Sequence, residues 1–452
     1  MNMSAFPAKS RAVLAAVAVL SVGLAGCSTL SKLNFLAKSD NKSLASSGER
    51  IPILAPEDQL TVAAALKGQS FYLPPAQPQA DWPLPGGTPE QSLEHVDAAP
   101  DLQVDWRRSL GMSGTGRAHF VTAPPVEADG LVYAMDAQAQ VSAHNAATGV
   151  RMWHTNLQSK ERRDRDGFGG GVAYDNGVVF VSSGYRFVAA LDSHTGKQLW
   201  KTATDEPVHA APTVSAGMVF VVGLDDQLYS FDAKTGAPGW NYQAIIEPAR
   251  ILAASSPAIS GDAVIASFAS GEVIAKRASN GNDLWIQALS RSNRNSALSE
   301  IRDIAGRPVV YKGDVFAASH SGVFSAIDLR TGNPRWSIPL TSFTTPWASG
   351  DVVYVVTQSG QLVCVSRETG GVYWIVEMNT RKTKNPVYWS GPVLASNRLI
   401  VVSSTGLVQA RDPKTGELLK TLRLGAPIMQ TPIAAGGRLY VVTEKADLIA
   451  LR

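Results

Sequence analysis

Residues able to do chemistry are few in this 452-residue chain, and their spacing argues against catalysis. Histidines stand at positions 95, 119, 144, 154, 194, 209 and 320, with no His-x-x-x-His pair and no cysteine placed to complete a zinc set. His144 and His154 flank a single turn, a spacing that two neighbouring strands explain, so no metal is expected. No Gly-x-Ser-x-Gly elbow occurs, so nucleophilic hydrolysis has no support. Gly167-Phe168-Gly169-Gly170-Gly171 runs into Val172-Ala173-Tyr174 and not into a helix. A phosphate cradle needs that helix N-terminus. The glycines therefore read as a crowded strand where segments converge. Cys364, inside the apolar run Gln361–Val365, reads as a small buried residue.

Charge narrows the partners further. Lys and Arg number 41 against 38 Asp and Glu, a net charge of +3, too balanced for a nucleic-acid surface. The run from Lys160 to Asp166 mixes signs and reads as a solvated loop. Arg291 to Arg302 lies in the longest connection between repeats, and long connections in compact repeats tend to carry function.

The elements that must position these residues come from a repeat. An Asp or similar residue, two residues, Thr-Gly and then a Trp recur along the chain. The copies begin at Asn145, Asp192, Asp232, Arg277, Asp328, Ser366 and Asp412. Successive Thr (or Asn280) positions are 47, 40, 45, 51, 38 and 46 residues apart. In the last copy Lys420 stands where Trp is expected. Each copy holds a small-residue strand opened by Pro, a β-branched strand, an alternating strand, the Thr-Gly turn and a fourth strand. Gly supplies the positive φ of the tight turn, and the Asp side chain can accept turn N–H bonds. Four short antiparallel strands per unit describe a propeller blade.

Seven turns leave a strand over at each end. The C-terminal run offers three strands, Thr431–Ala434, Arg438–Val442 and Leu448–Leu451, and Leu102–Leu110 carries Trp106 with no partner strands of its own. Pairing the two ends makes an eighth blade and removes the free edges. The fold class expected is all-β, an eight-bladed propeller over residues 101–452 closed by its N-terminal outer strand.

Ahead of it, Lys9 and Arg11 precede an apolar run from Ala12 to Leu24. About a dozen residues are too few to span a bilayer core, which needs about 20, but suit a secretory signal. Leu24-Ala25-Gly26-Cys27 resembles the lipobox of bacterial lipoproteins. That resemblance implies a signal over residues 1–26, removal before Cys27 and lipidation of its thiol, palmitate included. Ser28 replaces the Asp that often signals inner-membrane retention, implying an outer-membrane, periplasm-facing location. Residues 27–50 read as a flexible tether and 51–100 as a Pro-rich extension lying extended on the main domain. Thr61 to Lys67 is expected to form a short helix.

The Asp-x-x-Thr-Gly-x-x-x-Trp pattern resembles the tryptophan-docking motif of pyrroloquinoline-quinone-type propellers, over about 350 residues. Two branches share it, the quinoprotein dehydrogenases and the BamB family of outer-membrane assembly lipoproteins. The dehydrogenase branch implies calcium-ligating groups, a catalytic Asp and an adjacent Cys-Cys pair, and this sequence has no such pair. A lipobox, a tether and a single propeller resemble the BamB branch, as does Ala80-Asp81-Trp82-Pro83 before the first blade. Trp106, Trp153, Trp200, Trp240, Trp285, Trp336 and Trp374 are then anchors between blades. The resemblance implies a scaffold without catalytic residues, cofactor or metal, one copy within a complex that assembles β-barrel proteins. Its partner would be the periplasmic part of BamA. The family's Leu/Arg cluster falls on Glu247–Leu252 and its acidic pair on Ile301–Gly306, which nominates Arg250, Ile251, Leu252 and Asp303 as contacts. Ala305 replaces the second acid, and Arg250 matches in character but not in register. A small-ligand-binding periplasmic propeller and a quinoprotein dehydrogenase are the alternatives.

Overall fold

The computed structural model describes residues 60–111, 123–159, 161–164, 167–247, 255–289, 303–379 and 386–452. Every strand belongs to the compact unit Leu54–Arg452. The signal, Cys27 and the tether lie outside the described residues, as do Arg250, Ile251 and Leu252.

Strands of three to seven residues, separated by glycine turns, build eight antiparallel blades among the described residues. Blade 1 runs outward through Val126–Ala128, Leu131–Met135, Gln140–Asn145 and Arg151–Asn156. Blades 2 to 7 repeat this over residues 170–203, 213–243, 258–288, 309–338, 347–377 and 389–423. Blade 8 takes Ile433–Ala435, Arg438–Val442 and Asp447–Leu451 from one end of the chain and Val104–Ser109 from the other. Arg107 pairs there with Ile449, so the ring closes between the two chain ends as the leftover strands imply. Among the described residues no helix is long and apolar enough to cross a membrane.

Middle strands are apolar on both faces because each face packs on an adjacent blade. Outer strands alternate: Met152 is 58 % exposed, whereas its neighbour Trp153 is buried. The core is thus a ring of layers between blades, such as Tyr133, Val141 and Trp153 of blade 1 against Val179 and Val181 of blade 2.

The repeated turn explains how blades lock. Asp192 Oδ1 accepts bonds from the Thr195 amide at 2.8 Å and the Thr195 hydroxyl at 2.7 Å, which hold its carboxyl below the usual range. Gly196 sits at φ +69°, and a Cβ there would lie 2.5 Å from the Trp153 ring of the preceding blade. Glycine therefore serves both the backbone and the contact. Trp153 Nε1 donates to Ser193 O at 2.8 Å. Trp106, Trp200, Trp240, Trp285 and Trp336 donate in the same way to Ala146, Ala233, Ala278, Leu329 and Arg367. Trp374 departs from the pattern. The Tyr354 hydroxyl donates at 2.9 Å to Pro413 O, the equivalent carbonyl, and Trp374 Nε1 has no partner. Cys364 pairs across the sheet with Tyr354 on one side and Trp374 on the other, where blade 1 has Ala143 between Tyr133 and Trp153. Its role is that of a small residue beneath the ring, and burial pushes its thiol well up.

One expectation fails. Thr61 to Lys67 is not a helix but one turn, in which the Leu66 and Lys67 amides both donate to Ala63 O. The Ala63 amide is committed to Val372 O at 2.9 Å, and Gly68 at φ +74° turns the chain out of the helical path. The glycine run beside the axis is as crowded as its composition suggests. A Cβ on Gly171 would lie 2.5 Å from the Ala211 side chain and 2.6 Å from that of Ala123.

Candidate docking face and axial cup

The two ends of the ring differ, and the chain itself makes the difference. The segment from Gln77 to Ala99 crosses the end where inner strands turn into second strands, and it bonds to all eight blades. Trp82 and Glu127 of blade 1 exchange backbone bonds at 2.7 and 2.9 Å, and Tyr174 of blade 2 donates to Pro83 O at 2.7 Å. Gln91 Nε2 donates at 3.1 Å to Thr213 Oγ1 of blade 3. Ile259 of blade 4 and Val310 of blade 5 donate to Pro89 O and Glu90 O. Trp347 Nε1 of blade 6 reaches Glu94 O at 3.0 Å. Gln77–Pro78 and Val96–Asp97 add as short parallel strands to the inner edge of blade 7, and Gly436 of blade 8 donates to Gln79 O. Trp82 is 1 % exposed, and its ring stacks on Trp347 at a centroid distance of 6.2 Å. This segment is a plug. Two-residue strands and single backbone bonds leave no periodicity in a sequence, so only its extended, surface-bound character was legible.

Beneath the plug lies Glu127, a carboxyl with 2 % exposure. Burial first, then the charges of Asp81 and Asp129, raise its pKa to about 8. Asp81 Oδ1 accepts a bond from the Asp129 amide at 3.1 Å, which ties the plug to the adjoining turn.

At the opposite end the outer-to-inner connections surround an open cup of about 450 Å³. Its wall is made by residues just ahead of the inner strands, among them Ala211, Ser256, Arg307, Thr345 and Thr431. Described residues at the edges of the two nominated connections are bonded here. Ser255 Oγ, directly after the segment containing Arg250, Ile251 and Leu252, donates to Gly306 O at 3.1 Å. Asp303 belongs to the same end but is only 3 % exposed, and its carbonyl accepts the His320 amide at 2.8 Å. Its side chain therefore offers little of itself to the surface. Ala305 is partly exposed at the cup wall. Ahead of the undescribed segment, Ile245 and Ile246 are 65 % and 63 % exposed.

Arg307 escaped the sequence reading, although a signal for it existed. The residue before the Pro that opens an inner strand is Ala211, Ser256, Thr345, Gly391 or Thr431 in other blades, and only here is it charged. The Arg307 amide donates to Thr345 Oγ1 at 3.1 Å, while its Nε is buried without a partner. Burial lowers its pKa to about 10, so it stays protonated at neutral pH.

Comparison with known proteins settles the branch. A family model described as outer membrane protein assembly factor BamB matches residues 137–376 and 374–452. The chain belongs to the BamB family. Outer membrane protein assembly factor BamB of Burkholderia pseudomallei is 27 % identical over 357 residues, covering 78 % of this chain and 88 % of that protein. BamB of Escherichia coli is 27 % identical over 350 residues, covering 76 % and 88 %. Among solved structures, BamB from Moraxella catarrhalis superposes with a TM-score of 0.65 at 19 % identity, covering 77 % of this chain and 98 % of that one. A europium-containing methanol dehydrogenase superposes with a TM-score of 0.66 at 15 % identity, covering 80 % and 89 %. These superpositions show the shared eight-bladed fold. The BamB family match distinguishes the branches, which the propeller alone does not.

Proposed function

We propose that this chain is an accessory subunit of the machinery that assembles β-barrel proteins into the outer membrane, acting by binding proteins and without catalysis. It is anchored through lipid on Cys27, faces the periplasm, and docks on the periplasmic part of BamA with the open end of its propeller. Residues 1–26 serve as the signal, 27–50 as the tether and 101–452 as the docking body. The BamB family membership carries the assembly role. For the docking end, the supporting observation is the plug, which leaves the outer-to-inner connections as the unencumbered face. Stable anchoring follows from acylation with more than one chain, each buried CH₂ contributing about 0.8 kcal/mol.

The contact set is the connection holding Arg250, Ile251 and Leu252, with the Asp303 connection bonded beside it. An aliphatic anchor with an adjacent arginine is the mixture that interface centres favour, and removing such an anchor costs about 2 kcal/mol or more. The test is co-purification of BamA from solubilised outer membranes. Leu252→Asp with Arg250→Ala should abolish it while the melting curve is kept, and Arg162→Ala in the blade 1 to blade 2 connection should leave it intact. Cys27→Ser should retain BamA binding in solution but leave the outer-membrane fraction. Undiminished BamA recovery with the Leu252/Arg250 double variant would place the contact elsewhere.

A further inference from the structure

The axial cup has chemistry that a docking scaffold does not require. Arg307 is the one permanently charged side chain among the described residues that line it. Its amide donates to Thr345 Oγ1, and its Nε is buried without a partner among the described residues. A second unsatisfied atom lines the same cavity, since His320 Nδ1 is also buried without a partner. Gln358 Nε2 donates to His320 Nε2 at 3.2 Å, which uses that lone pair and leaves the ring proton on Nδ1. The cup therefore holds two buried donor atoms, one of them on a cation, with no acceptor for either among the described residues.

Leaving such groups unmet is costly. A buried polar group without a partner forfeits its hydration with nothing in return, and a charged one forfeits more. Elsewhere the chain meets that cost internally: Arg411, buried in blade 7 at 4 % exposure, donates to Gln409 Oε1 and Gly416 O. The rest of the cup is apolar or uncharged. Phe343 and Tyr388 face each other across the rim at 6.1 Å between ring centroids, and Met429 lies on the same wall. The plug crosses the far end of the ring, and the cup lies at the other. A concave, mostly apolar cavity of a few hundred Å³ with a few convergent polar groups is the general form of a small-molecule site.

We propose that the axial cup binds a small monocarboxylate with a compact apolar body, the carboxylate meeting Arg307 and His320 and the body packing on Phe343, Tyr388 and Met429. One cation sets the ligand's charge at minus one. A planar carboxylate has the acceptor geometry that a guanidinium recognises. The site is independent of the BamA reading, because it needs only the isolated chain.

Phenylacetate, titrated into the full-length chain in a neutral detergent and followed by calorimetry and ligand-observed NMR, tests it. Phenylacetamide, the same size without the charge, is the control. Saturable binding of phenylacetate is expected, with phenylacetamide at least tenfold weaker. Arg307→Met should weaken phenylacetate at least tenfold while melting at or above the parent temperature, since it removes a cation whose Nε is buried without a partner among the described residues. His320→Leu should weaken binding to a smaller extent. Absence of saturable phenylacetate binding, equal affinity for acid and amide, or full binding by the Arg307→Met chain would each overturn the proposal.

Discussion

The plugged end and the open end of this propeller are built from the same repeat yet have opposite characters. At the plugged end, the inner-strand backbone of blade after blade gives its spare hydrogen-bonding groups to the segment from Gln77 to Ala99. At the open end, the residues ahead of the inner strands surround a cavity lined by Arg307, whose Nε has no partner among the described residues. With eight identical blades and nothing else, no blade would differ from another. One strap removes that symmetry, and what it leaves uncovered becomes the working surface. The lesson is that a repeat can specify a function through the non-repeating segment that covers part of it.

Substitutions sort along this contrast. The largest effect is expected at the plug. Trp82→Ala removes a fully buried ring stacked on Trp347. It should cost about 3–5 kcal/mol and lower the melting temperature by roughly 5–10 °C. Tyr388→Ala at the open rim, where the side chain is 39 % exposed, should cost no more than about 1 kcal/mol. Equal losses for the two, measured by thermal unfolding, would erase the distinction between a structural end and a free one.

A smaller effect sharpens the same comparison through pH. Glu127 has a folded pKa raised to about 8 against an ordinary value of 4.5. A raised pKa means that the folded state binds the proton more tightly than the unfolded state. Its stabilising share is complete below pH 4.5 and is lost as pH climbs from there toward 8. Glu127→Gln removes that loss. The variant should gain on the parent as pH rises from 5 to 8, by about 2–4 kcal/mol in all. A melting difference that stays flat over this range would show that the carboxyl is not held neutral under the plug. The turn aspartates titrate in the other sense. Asp192, Asp232 and Asp328 have pKa values lowered by their bonds to the following Thr, so their contribution is lost only as pH falls through the acid range.

Much of the ring was legible because it repeats. Trp153, Trp200, Trp240, Trp285, Trp336 and Trp374 each lie five residues after a Thr or Asn, and orphan strands at both ends led to the closure through Trp106. The repeat also misleads locally, since Trp374 keeps the motif but yields its hydrogen bond to Tyr354. Single events were illegible. Thr61 to Lys67 has helical composition, yet one backbone bond to Val372 and one glycine override it. The plug is held by backbone groups, which a sequence does not display. Arg307 was visible as a break in the small-residue rule ahead of the inner strands, but a charged residue next to Pro308 reads as an ordinary loop until the cavity beside it is seen. Asp303 illustrates the converse. The family resemblance nominated it as a contact, and it is only 3 % exposed.

The central claim is that protein docking uses the open end and spares the plugged one. Photo-crosslinking measures this directly, with a benzophenone amino acid placed in turn at Ile251, in the chain connection between blades 3 and 4, and at Asn176, in the inner-strand turn of blade 2 beside the plug. The account predicts a crosslink to BamA from position 251 and none from position 176. A crosslink from position 176 with none from position 251 would contradict it.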